Sequence, residues 1–117
     1  GIRDVLGSRG HGDVYKRQDL EYVIVEETDG DNVFCDKITD GQSQMRLGLC
    51  DFVNQKICLH EHMTRTRKRK VLAHELTHAF VEAYGFFQES FDEEQLCEFI
   101  ANYSKEINEI CDHYFNA

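Results

Sequence analysis

The 117-residue sequence predicts an α+β fold: a small, mainly antiparallel sheet packed on two helices. Three observations point to it. The run LEYVIVEET at 20–28 is rich in β-branched and aromatic residues, as a strand requires. The stretch LGLCDFVNQKICLHEH at 47–62 places two short apolar runs around a polar centre. Two long segments with helical spacing of apolar residues then complete the chain. This length is that of one domain with a modest core.

Residues 1–18, GIRDVLGSRGHGDVYKRQ, show neither strand alternation nor helical spacing and resemble translated adapter or vector sequence. They are expected to be a disordered or non-native leader, with the domain spanning 19–117. After the first strand, DGDN supplies turn chemistry, and 31–46 is ambiguous apart from a second turn at TDG. A hairpin is expected about Asn54-Gln55, its second strand Lys56–His60 leading into a helix. That helix runs from Thr64 or Thr66 to Tyr84, with Val71, Leu72, Leu76, Ala79, Phe80 and Ala83 on its apolar side and Gly85 as its stop. A second helix is expected from Phe91 to Tyr114, with Leu96, Ile100, Tyr103, Ile107, Ile110 and Tyr114 as its inward stripe. SFDE at 90–93 reads as its capping box, Ser90 paired with Glu93.

Composition narrows the function. Hydrophobic residues make up 41% and charged residues 30%, an ordinary balance for a globular domain. No apolar run approaches the roughly 18 residues of a membrane span, and no signal-peptide pattern is present. The five cysteines, at 35, 50, 58, 97 and 111, form no CxxC pair and read as free thiols of a reducing cytoplasm. A net charge of −9 opposes nucleic-acid binding, which depends on phosphate neutralisation. The local exception, RTRKRK at 65–70, reads as a solvated helix face. Cations at a helix N-terminus oppose its dipole, so this run is expected to fray or to pair with the acidic C-terminal third.

The chemistry concentrates in VLAHELTHAF at 71–80. Residues four apart on a helix project from one face, so His74 and His78 can aim two imidazoles at one metal ion. Glu75 stands beside the first of them, where a carboxylate can act as general base on a zinc-activated water. The bland alternative is a polar helix face that carries two histidines by accident. A catalytic zinc normally takes three protein ligands and keeps one position open. The extension HExxHxxGxxH is absent, since Val81 and Tyr84 occupy the positions where it wants glycine and histidine. The next helix offers Asp92, Glu93, Glu94 and Glu98. With Glu93 assigned to the cap, Glu94 is the preferred third ligand. Glu98, one turn on, would orient a ligand histidine through its other ring nitrogen. Cys97 and Ala101 share their face and would let the two helices approach closely.

VLAHELTHAF followed by EEQLCEFIA resembles the small single-domain gluzincin peptidases, in particular the ImmA/IrrE-type metallopeptidases of bacteria and phages. Glu94, Cys97 and Glu98 fall on that family's glutamate, small and polar positions, although asparagine or aspartate is commoner at the third. The resemblance covers roughly 45–104. It implies a zincin-like fold, a Zn2+ cofactor, and a short sheet whose edge binds an extended protein or peptide substrate, such as a regulator. Two other readings stand beside it: a catalytically silent zinc-binding domain, and a module that binds a regulator by contact alone. His60 and His62 read as an exposed strand end. Tyr84, Tyr103 and His113 are available as oxyanion donors, and nothing in their spacing selects one.

Overall fold

The computed structural model describes residues 13–17, 20–28, 35–37, 43–45, 47–84 and 90–116. Its elements run β1 (Asp13–Arg17), β2 (Leu20–Glu27), β3 (Cys35–Lys37), β4 (Ser43–Met45), β5 (Gly48–Asp51), β6 (Lys56–His60), α1 (Arg65–Ala83) and α2 (Glu93–Asn116). The α+β class read from the sequence is the one found. The main sheet has the order β1-β2-β6-β5. β1 and β5 are antiparallel to their neighbours, whereas β2 and β6 run parallel. A separate antiparallel ribbon, β3–β4, occupies the stretch whose pattern was ambiguous.

Strand β1 lies inside the segment that sequence reasoning left out of the fold. Asp13 pairs opposite Ile24 and Arg17 opposite Leu20. Its five residues have little alternation of their own, and the backbone of β2 supplies a template that local pattern does not reveal.

The β5–β6 hairpin forms about Asn54-Gln55 as expected, but by a different device. Asp51 Oδ1 accepts bonds from the backbone N–H groups of Val53 and Asn54 at 3.0 and 3.1 Å. Asn54 Nδ2 donates to Asp51 Oδ2 at 2.8 Å. These bonds, led by the Asn54 side chain, hold the Asp51 carboxyl below its usual range. Gln55 then turns the chain through a positive φ of 51°. The resulting register sets Gly48 opposite Leu59 and leaves β5 at the edge of the sheet.

Both helices pack on the main sheet through one apolar cluster. Leu20, Tyr22 and Ile24 alternate inward from β2, and Ile57 and Leu59 from β6. They meet Leu72, Leu76, Ala79 and Phe80 of α1, and Phe99, Ile107, Ile110 and Tyr114 of α2. Each such fully buried side chain contributes about 1.5–3 kcal/mol of transfer free energy. Thr64 caps α1, its hydroxyl accepting from Arg67 N at 3.2 Å, and the Tyr84 N–H closes the last turn on Phe80 O at 3.0 Å. Both ends agree with the expected limits, while Gly85 lies outside the described residues.

The two helices are antiparallel. Arg65 Nη2 bonds Phe115 O and Asn116 Oδ1, Arg69 meets Asp112 at 2.8 Å, and Phe80 packs on Tyr103. The basic run is therefore pinned in part by the C-terminal helix, as its charge predicts.

Two expectations for α2 are corrected. The capping box is Asp92 with Gln95: Gln95 N donates to Asp92 Oδ1 at 2.8 Å, and Asp92 N to Gln95 Oε1 at 3.0 Å. Ser90 and Glu93 do not form it, so Glu93 is not held by a cap. Leu96 and Ile100 are 53% and 52% exposed, and Phe99 takes the buried position instead. Tyr103 stacks on Tyr84, the residue that ends α1, at 5.1 Å between ring centres. Phe99 and Tyr103 thus face the core, while Leu96 and Ile100 face away from it.

Candidate metal centre

His74, Glu75 and His78 converge as the sequence predicts. One ligand atom from each lies within 4.8 Å of the other two. The two imidazoles are exposed, their Nε2 atoms 3.2 Å apart and their ring centres 4.9 Å apart at 75°. Two Zn–N bonds of about 2.0–2.1 Å at a tetrahedral angle separate their nitrogens by roughly 3.3 Å. The spacing of the pair is compatible with a shared divalent metal ion such as zinc. Among the described residues, this is the one group of three such side chains that converges.

Glu75 differs from its neighbours in burial. It is 8% exposed and is the one buried charged residue among those described. Helix geometry turns it from the histidine face toward edge strand β5, where Gly48 receives it. A Cβ built on Gly48 would stand 2.5 Å from Val71 Cγ1 and 3.0 Å from Glu75 Oε2. The pattern of metal-binding and charged side chains in the sequence does not point to Gly48. An isolated glycine in a strand is the available signal, because it marks a close approach of another chain segment. Gly48→Ala is expected to cost about 1–3 kcal/mol by overpacking and to reduce any peptidase activity by displacing Glu75. Urea unfolding and kcat measured on one preparation check both.

Cys50 lies next to this contact on β5 and is half-buried. Its thiol is pushed up to about 12, chiefly by burial and then by the negative charges of Glu75 and Glu82. Burial thus favours its neutral thiol form. Tyr22 OH, buried in the same region, is likewise driven well above its ordinary value by burial.

A cleft of about 830 Å³ opens beside the site. Leu47 and Gly48 form its strand wall, and Val71, His74 and Glu75 its helix wall. Arg67 and Lys70 continue the helix wall toward the start of α1.

Glu94 and Glu98 stand on the first turns of α2, both exposed, and neither joins the His74–Glu75–His78 group. Cys97 and Ala101 are exposed too, so small residues do not mediate the helix contact as expected. Aromatic rings do, with Tyr103 of α2 against Phe80 and Tyr84 at the end of α1. Tyr84 and Tyr103 are thereby engaged in packing. His60 and His62 lie with ring centres 5.7 Å apart, and the His62 N–H donates to His60 Nδ1.

Comparison with known proteins agrees with this geometry. No curated protein and no solved structure matches the chain. The model of the peptidase M78 family, described as the IrrE N-terminal-like domain, matches residues 30–115. That match spans edge strand β5, the paired imidazoles and all but the last residue of α2, so the chain belongs to the IrrE N-terminal-like family of metallopeptidase-type domains.

Proposed function

We propose that this domain is a zinc-dependent peptidase that hydrolyses a peptide bond in a protein substrate. The supporting observation is the placement of one buried carboxylate, Glu75, within 4.8 Å of two imidazole nitrogens set at a zinc-compatible distance. His74 and His78 hold the metal, and an acid of α2 completes the set. Glu94 is the first candidate. Glu98 is the other, one turn or about 6 Å nearer the level of the histidines along the antiparallel pair. Whichever does not bind would orient a ligand histidine. When bound, zinc supplies a Lewis acid for the carbonyl and lowers the pKa of a water to about 7. Glu75 would take a proton from the attacking water, whose oxygen bonds to the carbonyl carbon. It then delivers the proton to the nitrogen as the C–N bond breaks. Among the described residues β5 is an edge strand, and its backbone can pair with an extended substrate, which would set the scissile bond near the histidines.

Metal analysis tests the site. One zinc per wild-type chain is expected, with loss in His78→Ala and a marked loss in one of Glu94→Ala and Glu98→Ala. Equal zinc in the wild type and His78→Ala would refute the assignment.

A further inference from the structure

Five cations occupy the first turns of α1, and the structure divides them. Arg65 is tied to the end of α2, Lys68 to Glu26 and Arg69 to Asp112. Arg67 and Lys70 are exposed, make no ion pair among the described residues, and line the cleft. Positions 67, 70, 71 and 74 follow the i, i+3, i+4, i+7 spacing of one helix face. The two uncompensated cations therefore stand in line with the metal-binding pair. Lys70 precedes His74 by about 6 Å along the axis and Arg67 by about 10 Å. An extended peptide advances about 3.3 Å per residue, so these distances correspond to about two and three residues of bound chain.

We infer that the cleft selects peptides carrying aspartate or glutamate about two to four residues to one side of the cleaved bond, where Arg67 and Lys70 receive the acidic side chains. In naming a cleaved bond the inference rests on the peptidase reading, whereas the charge preference itself is a property of binding. A nucleic acid would present negative charge as well. The opposite wall of the cleft is a sheet edge that pairs with extended peptide, and the remainder of a chain of net charge −9 repels a phosphate backbone.

Two short fluorescein-labelled peptides, identical except that alternating glutamates in one are glutamines in the other, provide the probe. Fluorescence anisotropy is expected to show the glutamate peptide binding about tenfold more tightly at low ionic strength, with the difference shrinking as salt is added. Arg67→Glu with Lys70→Glu should abolish or invert the preference, with far-ultraviolet circular dichroism reporting the fold. Lys105→Glu, a charge reversal on the exposed side of α2, should preserve it. Equal affinity of the wild type for both peptides would overturn the inference. So would an unchanged preference in the double variant, or tighter binding of a single-stranded DNA of equal charge. Mass spectrometry of both peptides after incubation with zinc-loaded protein separates the two claims. Charge-dependent binding without cleavage removes the peptidase reading and leaves this one standing. Cleavage of both peptides at equal kcat/KM, with equal affinity, does the reverse.

Discussion

Replacing Glu75 by glutamine is expected to lower peptide hydrolysis by about 10²–10⁴-fold while one zinc per chain stays bound. The substitution keeps the shape that fits under Gly48 and leaves both imidazole Nε2 atoms in place. It removes a single property, the capacity to accept a proton and return it to the leaving nitrogen. Glutamine also keeps the size of the buried side chain, so the fold should be retained. This combination separates the peptidase from its two rivals. A domain that uses zinc as a structural clip would show no hydrolysis to lose, and every property of the wild type would survive in Glu75→Gln. A module that binds a regulator by contact alone would carry no zinc, and His74→Ala would fold and bind normally. The experiment therefore measures zinc content, thermal midpoint and kcat/KM on one preparation. Unchanged kcat/KM in an active wild type would remove Glu75 from the chemistry.

The parts of this molecule that were legible in the sequence are those fixed by near neighbours along the chain. A helix places His74 and His78 on one face whatever surrounds it, and Thr64 needs only its own following turn to act as a cap. The hairpin around Asn54-Gln55 is similarly local, although Asp51 supplies its bonds. At the start of α2, local pattern was ambiguous. Ser90 with Glu93 and Asp92 with Gln95 both satisfy the spacing of a capping box, and both lie within six residues. Two inward stripes were likewise available, through Leu96 and Ile100 or through Phe99, which merge at Tyr103. The contacts of Tyr103 with Phe80 and Tyr84 of α1 go with the second, and no window of α2 contains that information. Strand β1 pairs with its neighbour β2, Arg17 opposite Leu20, but its own residues carry no alternation to announce it. Two further features depend on distant pairing: the parallel contact of β2 with β6, and the division of the basic run between the core and the cleft. Gly48 belongs with them, because its partner Glu75 is far along the chain.

Glu26→Ala is expected to destabilise the domain by about 2–3 kcal/mol, lowering the thermal midpoint by about 10 °C or more. Glu26 continues the inward row of β2 after Leu20, Tyr22 and Ile24, so its carboxylate arrives under the two helices. There Oε1 meets Lys68 Nζ of α1 at 2.5 Å, and Oε2 accepts from Tyr114 OH of α2 at 2.7 Å. One carboxylate thus joins the sheet to both helices. The Lys68 and Glu26 side chains are 14% and 20% exposed, which places the pair well below the surface yet within reach of solvent screening. Removing the acid leaves an ammonium largely desolvated and a buried tyrosine hydroxyl without its acceptor. Water reaching the ammonium moderates the penalty below the 3–5 kcal/mol of a fully buried pair. The neighbouring Glu27 provides the internal comparison, because it pairs with Lys56 at 2.9 Å where the side chains are 32% and 40% exposed. Glu27→Ala should therefore cost less than about 1 kcal/mol. Glu26→Gln should fall between the two, since an amide oxygen can still accept from Tyr114 while the charge opposite Lys68 is gone. Equal losses in Glu26→Ala and Glu27→Ala, read from urea midpoints, would mean that the sheet and helices are held by apolar packing alone and that the inward carboxylate clips nothing.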